Sequence, residues 1–280
     1  MEVKMAYPDD FDRIYPLLAA HDSGIPRKVW RRLLERPWPA PFDHNGYLLM
    51  DRSRCVGFIG AIFSRRRIGG QDYNCCNISS WMVKQEYRSH SLSLLFPLLQ
   101  LKDWVISNLT PSREVYHILT NLGFRRLETK LKLFLPFIQK RSPDCEILAE
   151  PADISPHLSG DQQEILSDHL PFDCLHLLVR SPQASCYLVV TKVVKKGVPL
   201  ARIDYLSQPE IFLEHLGTVV NFIGIRWRVL AVMVDERLLA NSADQRAFSY
   251  RLKQPRLYKG PGPDRHLLDN LYSELVMLGI

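Results

Sequence analysis

The chain has 280 residues, 46% hydrophobic and 24% charged, enough for one large domain or two ordinary ones. That balance excludes a disordered or collagen-like chain, and no apolar run reaches the roughly 20 residues of a membrane-spanning helix. The formal net charge of +6 is unevenly shared: residues 1–140 hold 21 Lys and Arg against 13 Asp and Glu, residues 141–280 hold 15 against 17.

Residues 2–7 alternate, with Val3, Met5 and Tyr7 on one face of a predicted strand. Pro8 and the acids after it open a helix that carries Phe11, Ile14 and Leu17 or Leu18 on one side. A second helix is expected within 26–38, ending before Pro37. Strands at 46–50 and 55–64 flank the polar turn 51–54, and Gly69-Gly70 turns the chain into a third strand at 73–83. A polar loop then feeds the Leu-rich helix 92–104, which Pro97 is expected to kink, and a strand at 105–109. Thr110 as N-cap, Pro111 at the first helical position and Gly123 at the stop mark the next helix. A strand at 127–135 places Leu127, Leu131, Leu133 and Leu135 together.

The proline-rich stretch 139–160 reads as a junction between a domain at 1–140 and another at 141–280. The second half repeats helix (161–170), hairpin (186–194 and 199–207), long helix (209–225) and strand (228–235), and a helix at 267–280 closes it. The expected class is α/β, a mixed sheet with helices on its faces. Six cysteines without a CxxC pair and an N-terminal stretch unlike a signal peptide suggest a reduced cytoplasm. The basic first half suits an anionic ligand or a solvated basic face. No RNA-binding signature is present, so nucleic acid is not expected.

Two stretches carry a family resemblance. Residues 82–99, "MVKQEYRSHSLSLLFPLL", look like the acyl-CoA loop of the GNAT superfamily of N-acyltransferases, a strand, then Arg/Gln-x-x-Gly-x-Gly/Ala, then a helix. Arg88 aligns with the leading residue, while Ser91 and Ser93 stand where glycines are usual. Residues 110–128 resemble that family's later helix, ending in Gly123-Phe124 before a strand.

The resemblance implies a GNAT-like fold in the first half, with the second half either shaping the acceptor pocket or forming a degenerate, cofactor-free second copy of the fold. It implies an acyl, most simply acetyl, transfer from acetyl-CoA or another acyl-CoA to a small-molecule or sugar-amine acceptor, by a monomer or homodimer. A subset of the superfamily built from two such halves attaches amino acids from tRNA to cell-wall precursors, and that is a substrate alternative. The cofactor would lie along Trp81, Met82 and Val83 and take its diphosphate at Arg88, Ser89, His90, Ser91, Leu92 and Ser93, with Asn108 near the thioester. Helix N-termini bind phosphate through unpartnered N–H groups, and serine is the mildest replacement for glycine there.

The catalytic positions are thin. The tyrosine that the family often places five residues before this Phe is Leu119 here. Tyr116, one turn earlier, is either a substitute acid or a packing residue. Asp43 and His44 either reach the acceptor and deprotonate it or are plain loop residues. Tyr272, Ser273 and Glu274 either return to the cleft or pack a helix. Adjacent Cys75 and Cys76 face opposite ways on their strand, with no partner histidine evident. These gaps keep open a second reading, a non-catalytic module of the same fold that binds a partner or senses a cofactor.

Overall fold

The computed structural model describes residues 1–138, 144–182, 184–239 and 247–280. In chain order these form β1 (Glu2–Met5), α1 (Phe11–His21), α2 (Arg27–Arg31), β2 (Gly46–Asp51), β3 (Arg54–Ile68), β4 (Gln71–Val83), α3 (Ser91–Leu99), β5 (Trp104–Asn108), α4 (Arg113–Asn121) and β6 (Arg125–Phe134). There follow β7 (Glu146–Leu148), α5 (Pro151–Ile154), α6 (Gly160–His169), β8 (Cys174–Arg180), β9 (Ser185–Lys195), β10 (Val198–Leu206), α7 (Pro209–Glu214), α8 (Leu216–Trp227), β11 (Val232–Asp235), β12 (Phe248–Lys259) and α9 (Glu274–Leu278). Of the expected junction, residues 139–143 lie outside the described residues, and the rest forms β7, α5 and the lead into α6.

Contacts divide the chain into two compact units. Met1–Arg126, Arg256–Pro263 and Tyr272–Leu278 make the first; Leu127–Pro255, Asp264–Leu271 and Gly279–Ile280 make the second. In the first unit the strand order is β1-β2-β3-β4-β5, followed by the end of β12, which pairs antiparallel with β5 from Leu257 opposite Asn108. All these neighbours are antiparallel except β4 and β5. Gly260 lets the strand end approach β5, because a Cβ there would lie 2.0 Å from the Trp104 carbonyl oxygen. Phe11, Ile14, Leu17 and Leu18 turn one face of α1 inward, as their helical spacing requires. One core combines Val56, Ile59, Ile78, Leu94, Leu98, Ile106, Leu119 and Phe124.

Two local expectations change. Ser112, not Thr110, caps α4: its Oγ accepts from the Val115 N–H at 3.2 Å, while Thr110 Oγ1 donates to Glu274 Oε1 at 2.7 Å. Helix α3 stops at Leu99, two residues past Pro97, instead of reaching Trp104, which begins β5.

In the second unit the order is β12-β6-β11-β10-β9-β8-β7, with β10 and β11 parallel. Helices α7 and α8 bury Phe212, Leu216, Val219, Val220 and Ile223 against Val190, Ile203, Val232 and Val234. Polar groups are buried with them. Arg202 Nε donates to Asp204 Oδ1 at 2.6 Å, Thr191 Oγ1 donates to Asp204 Oδ2 at 2.6 Å, and Arg202 also reaches the Ile280 carbonyl. Arg237 donates to Asp235, to Asn270 Oδ1 at 2.7 Å and to the Leu268 carbonyl at 2.8 Å. The expected closing helix at 267–280 is helical only over Glu274–Leu278. Tyr272 sits at φ +56°, which a right-handed helix cannot include.

Candidate functional site

The site begins where two parallel strands part. β4 and β5 pair from Asn74 opposite Trp104 to Asn77 opposite Ser107; β4 then runs on to Val83, while β5 ends at Asn108. Asn108 Nδ2 donates to the Ile78 carbonyl at 2.9 Å across the parting, and its buried Oδ1 has no partner among the described residues. On the other edge, the β3 register shifts between Phe58, opposite Met82, and Gly60, opposite Ser79. Ile59 thus faces both Ser80 and Trp81, a bulge, with Ser80 at φ +51°. The bulge re-aims the segment Trp81–Val83. Trp81 Nε1 is buried with no hydrogen-bond partner among the described residues.

Beside this segment lies a cavity of about 720 Å³. Trp81, Met82, Val83 and Lys84 line one side, joined by Arg88 and Ser91 from the loop into α3. Ser112, Glu114, Val115 and Ile118 of the α4 region line the opposite side, and Leu17, Ala20 and His21 close it from α1. Residues 85–90 form a 3-10 turn pinned by Tyr87, whose hydroxyl donates to Asp51 Oδ2 at 2.7 Å and accepts from Arg54 Nη2 at 2.9 Å. Within the turn, Tyr87 N–H donates to the Lys84 carbonyl and Ser91 N–H to the Arg88 carbonyl, so two loop amides are already engaged. The Lys84 and Arg88 side chains add positive charge on that side of the cavity. Opposite them Glu114 is exposed, and its carboxyl is held below the usual range by its own N–H, then by the Ser112 hydroxyl, with a smaller attraction from Arg88.

Of the cofactor residues expected from sequence, Trp81, Met82, Val83, Arg88 and Ser91 line the cavity. Ser89, His90, Leu92 and Ser93 are not among its lining residues; Leu92 is exposed, and Ser93 Oγ turns back to the His90 carbonyl at 2.7 Å. Asn108 marks the parting without lining the cavity.

The three expected catalytic residues stand elsewhere. Tyr116 is turned about 100° round the helix from Val115, and its hydroxyl accepts from Arg126 Nε at 3.1 Å. Asp43 is exposed. His44 is buried among Phe42, Tyr47 and Phe63, ring centroids 5.0–5.4 Å away, and burial pushes its pKa down. Its Nδ1 accepts from the Gly46 N–H at 3.4 Å. Leu119 is fully buried in the core.

Tyr272 packs edge-on against Trp38 at 4.9 Å, and Glu274 is buried on Thr110. Cys76 is buried with its thiol pKa pushed up by desolvation, while Cys75 is half-buried. Sequence reasoning missed His21, Lys84, Ser112 and Glu114 as cavity residues. Lys84, Ser112 and Glu114 lay inside the two family-like stretches, but nothing in the pattern of α1 singled out His21.

The chain matches no family model and no curated protein. Solved structures do match. A GCN5-related N-acetyltransferase from Anabaena variabilis aligns over 92% of this chain and 71% of its own, with TM-score 0.59 at 12% identity. One from Kribbella flavida aligns over 92% and 70%, TM-score 0.58 at 15% identity, and Eis1 from Mycobacterium abscessus over 92% and 73%, TM-score 0.54 at 11% identity. The chain has the GNAT fold, a mixed α/β architecture. No helix among the described residues is long and apolar enough to cross a membrane.

Proposed function

We propose that the first unit binds an acyl-CoA in the cavity beside β4 and serves transfer of its acyl group, most simply acetyl, to a small-molecule amine, sugar amines included. The observation that carries this reading is the pair of unmet polar groups at the strand parting, Trp81 Nε1 and Asn108 Oδ1, next to a cavity of about 720 Å³. A buried donor or acceptor left unpaired costs about 1–3 kcal/mol, so a ligand with amide and carbonyl groups fits that edge. Exposed β4 backbone holds an extended arm, and Arg88 and Lys84 hold a diphosphate by charge. Bound there, the cofactor supplies the activated acyl thioester. The His21 imidazole, on the α1 side, is the cavity side chain with a ring nitrogen that can accept a proton from an amine. The second unit repeats the order of antiparallel strands, crossover helix and parallel strand, which supports reading it as a second, cofactor-free copy of the fold working in the same reduced cytoplasm.

A specific observation favours a second reading. Leu119 fills the core where the acid would stand, and Tyr116 is engaged by Arg126, which suits a cofactor-sensing module without chemistry.

One pair of measurements separates them. Acetyl-CoA and longer acyl-CoAs should raise the melting temperature, because a ligand of the native state stabilises by mass action, and Arg88→Glu should abolish that shift with the fold intact. Thiol release across an amine panel, lowered in His21→Gln, supports transfer; a shift with no thiol release supports sensing. If no acyl-CoA moves the melting temperature, both readings lose their ligand.

A further inference from the structure

Beyond the acyl-CoA reading, we propose that one end of the second unit is a docking surface for an anionic lipid bilayer. Three segments meet there. β10 and β11 are parallel, so the helix between them must return to the end where both strands begin. The β9–β10 hairpin tip lies at that end, with Val194 opposite Pro199. The turn after α8 is tied to it by Leu230 N–H to the Pro199 carbonyl at 3.0 Å and Ala201 N–H to the Ala231 carbonyl at 3.0 Å. β6 runs antiparallel to β11, with Phe134 opposite Val232, and so delivers Pro136, Phe137 and Ile138 to the same place.

The side chains shown there are apolar and open. Phe137 and Ile138 are each 67% exposed, Val194 65%, Leu230 63% and Ile225 57%. These five come from three separate segments, whereas large apolar side chains left exposed singly would need no explanation. Phe137 adds a second observation. It sits at φ +67°, a conformation unusual for a bulky side chain, and the Asn221 carboxamide holds its N–H there. Packing gains nothing from that strain, since the ring faces solvent.

The charge around the patch selects the partner. Lys196, Arg226 and Arg228 are exposed, and residues 134–138, 194–200 and 225–231 contain no Asp or Glu, although residues 141–280 carry two more acids than bases. A symmetric dimer would set this patch against its own copy, cation on cation. Nucleic acid would be met mainly by aliphatic side chains with no stacking ladder. A bilayer matches both properties, taking the apolar tips below the headgroups and the cations among anionic ones.

The test is co-sedimentation of the full chain with vesicles of phosphatidylcholine alone or of a roughly 7:3 mixture with phosphatidylglycerol. The expected result is pelleting with the anionic vesicles only. Leu230→Glu should cut partitioning by about tenfold or more, and Arg226→Glu with Arg228→Glu by about fivefold per cation. Phe137→Gly separates docking from structure: it relieves the backbone, so the melting temperature holds or rises while binding falls. The proposal is overturned if anionic vesicles leave the protein in solution, or if Phe137→Gly and Leu230→Glu pellet like the parent. It is equally overturned if vesicles are inert while an oligonucleotide binds, or while a dimer forms that Leu230→Glu dissolves. The acyl-CoA thermal shift stays in every variant, so loss of vesicle binding leaves the cofactor reading standing.

Discussion

In the first unit the parallel pair β4–β5 parts beyond Asn77 and Ser107, Trp81 Nε1 and Asn108 Oδ1 are unmet among the described residues, and the end of β4 lines an opening of about 720 Å³. In the second unit the parallel pair β10–β11 carries Arg202, Asp204 and Asp235, closed by hydrogen bonds to Thr191, Arg237 and Asn270. The two units share a strand order and differ in where the polar groups of the parallel pair find partners. One ties Arg202, Asp204 and Asp235 to neighbouring side chains; the other holds Trp81 Nε1 and Asn108 Oδ1 with no partner among the described residues. Buried polar groups obey the same rule in both cases, so their partners, more than the topology, tell a binding unit from a structural one.

The comparison breaks first at Asp204. Asp204→Ala strands the Arg202 guanidinium, itself buried, and removing one member of a buried pair costs about 3–5 kcal/mol. Urea unfolding should show that loss, while the first unit keeps its acyl-CoA shift under native conditions. A loss below about 1 kcal/mol, the range of surface pairs, would mean that the second unit is not held by its polar interior.

Next in size is a pH effect confined to the second unit. His176 is buried with Nδ1 2.8 Å from the Tyr187 hydroxyl, and burial pushes its pKa down to about 4 from 6.5. Below pH 6.5 the unfolded chain binds a proton that the folded one refuses, so stability falls as pH drops from about 6.5 and levels off near 4. The whole effect is about 3 kcal/mol. Denaturant melts at pH 7 and pH 4 should therefore show the parent losing that much more than His176→Asn. Equal losses would mean that water reaches the ring.

How far these features could be read from the chain varies with their cause. The first unit's elements were legible because each is local: apolar runs between polar turns in β2 to β4, Gly69-Gly70 at a turn, Gly123 at φ +84° closing α4. Arg88 and Ser91 were legible as cavity residues because a strand running into a helix is also local. The rest depends on distant pairing. β12 reads as a charged segment broken by Pro255, and only its pairing with β5 makes a strand of residues 257–259. His44 looked like a loop base because sequence does not show that three rings enclose it. Tyr116 sat on the expected helix, but only the fold reveals that Val115 and Ile118 face the cavity instead.

A smaller effect sharpens the binding side of the comparison. Trp81→Phe keeps the ring and removes the unmet N–H, so the free protein should melt no lower than the parent. Acyl-CoA affinity should fall by about fivefold, the worth of one ordinary hydrogen bond. A lower melting temperature with unchanged affinity would make the indole N–H structural.

The smallest effect tests the field inside the cavity. Glu114 is ionised at neutral pH, because the groups that hold it all favour the charged form, and it stands opposite the side from which Lys84 and Arg88 attract an anion. A diphosphate entering there meets one repulsive charge among attractive ones. Glu114→Gln removes the repulsion and keeps the length of the side chain, so affinity for acyl-CoA should rise by about twofold, the scale of an exposed charge contact. The gain should shrink in high salt, which screens exposed charges, whereas the Trp81→Phe loss should not. Titration of the two variants at low and high ionic strength reads both slopes. A Glu114→Gln gain indifferent to salt, or a loss in its place, would move the diphosphate away from α4 and with it the cofactor's path along β4.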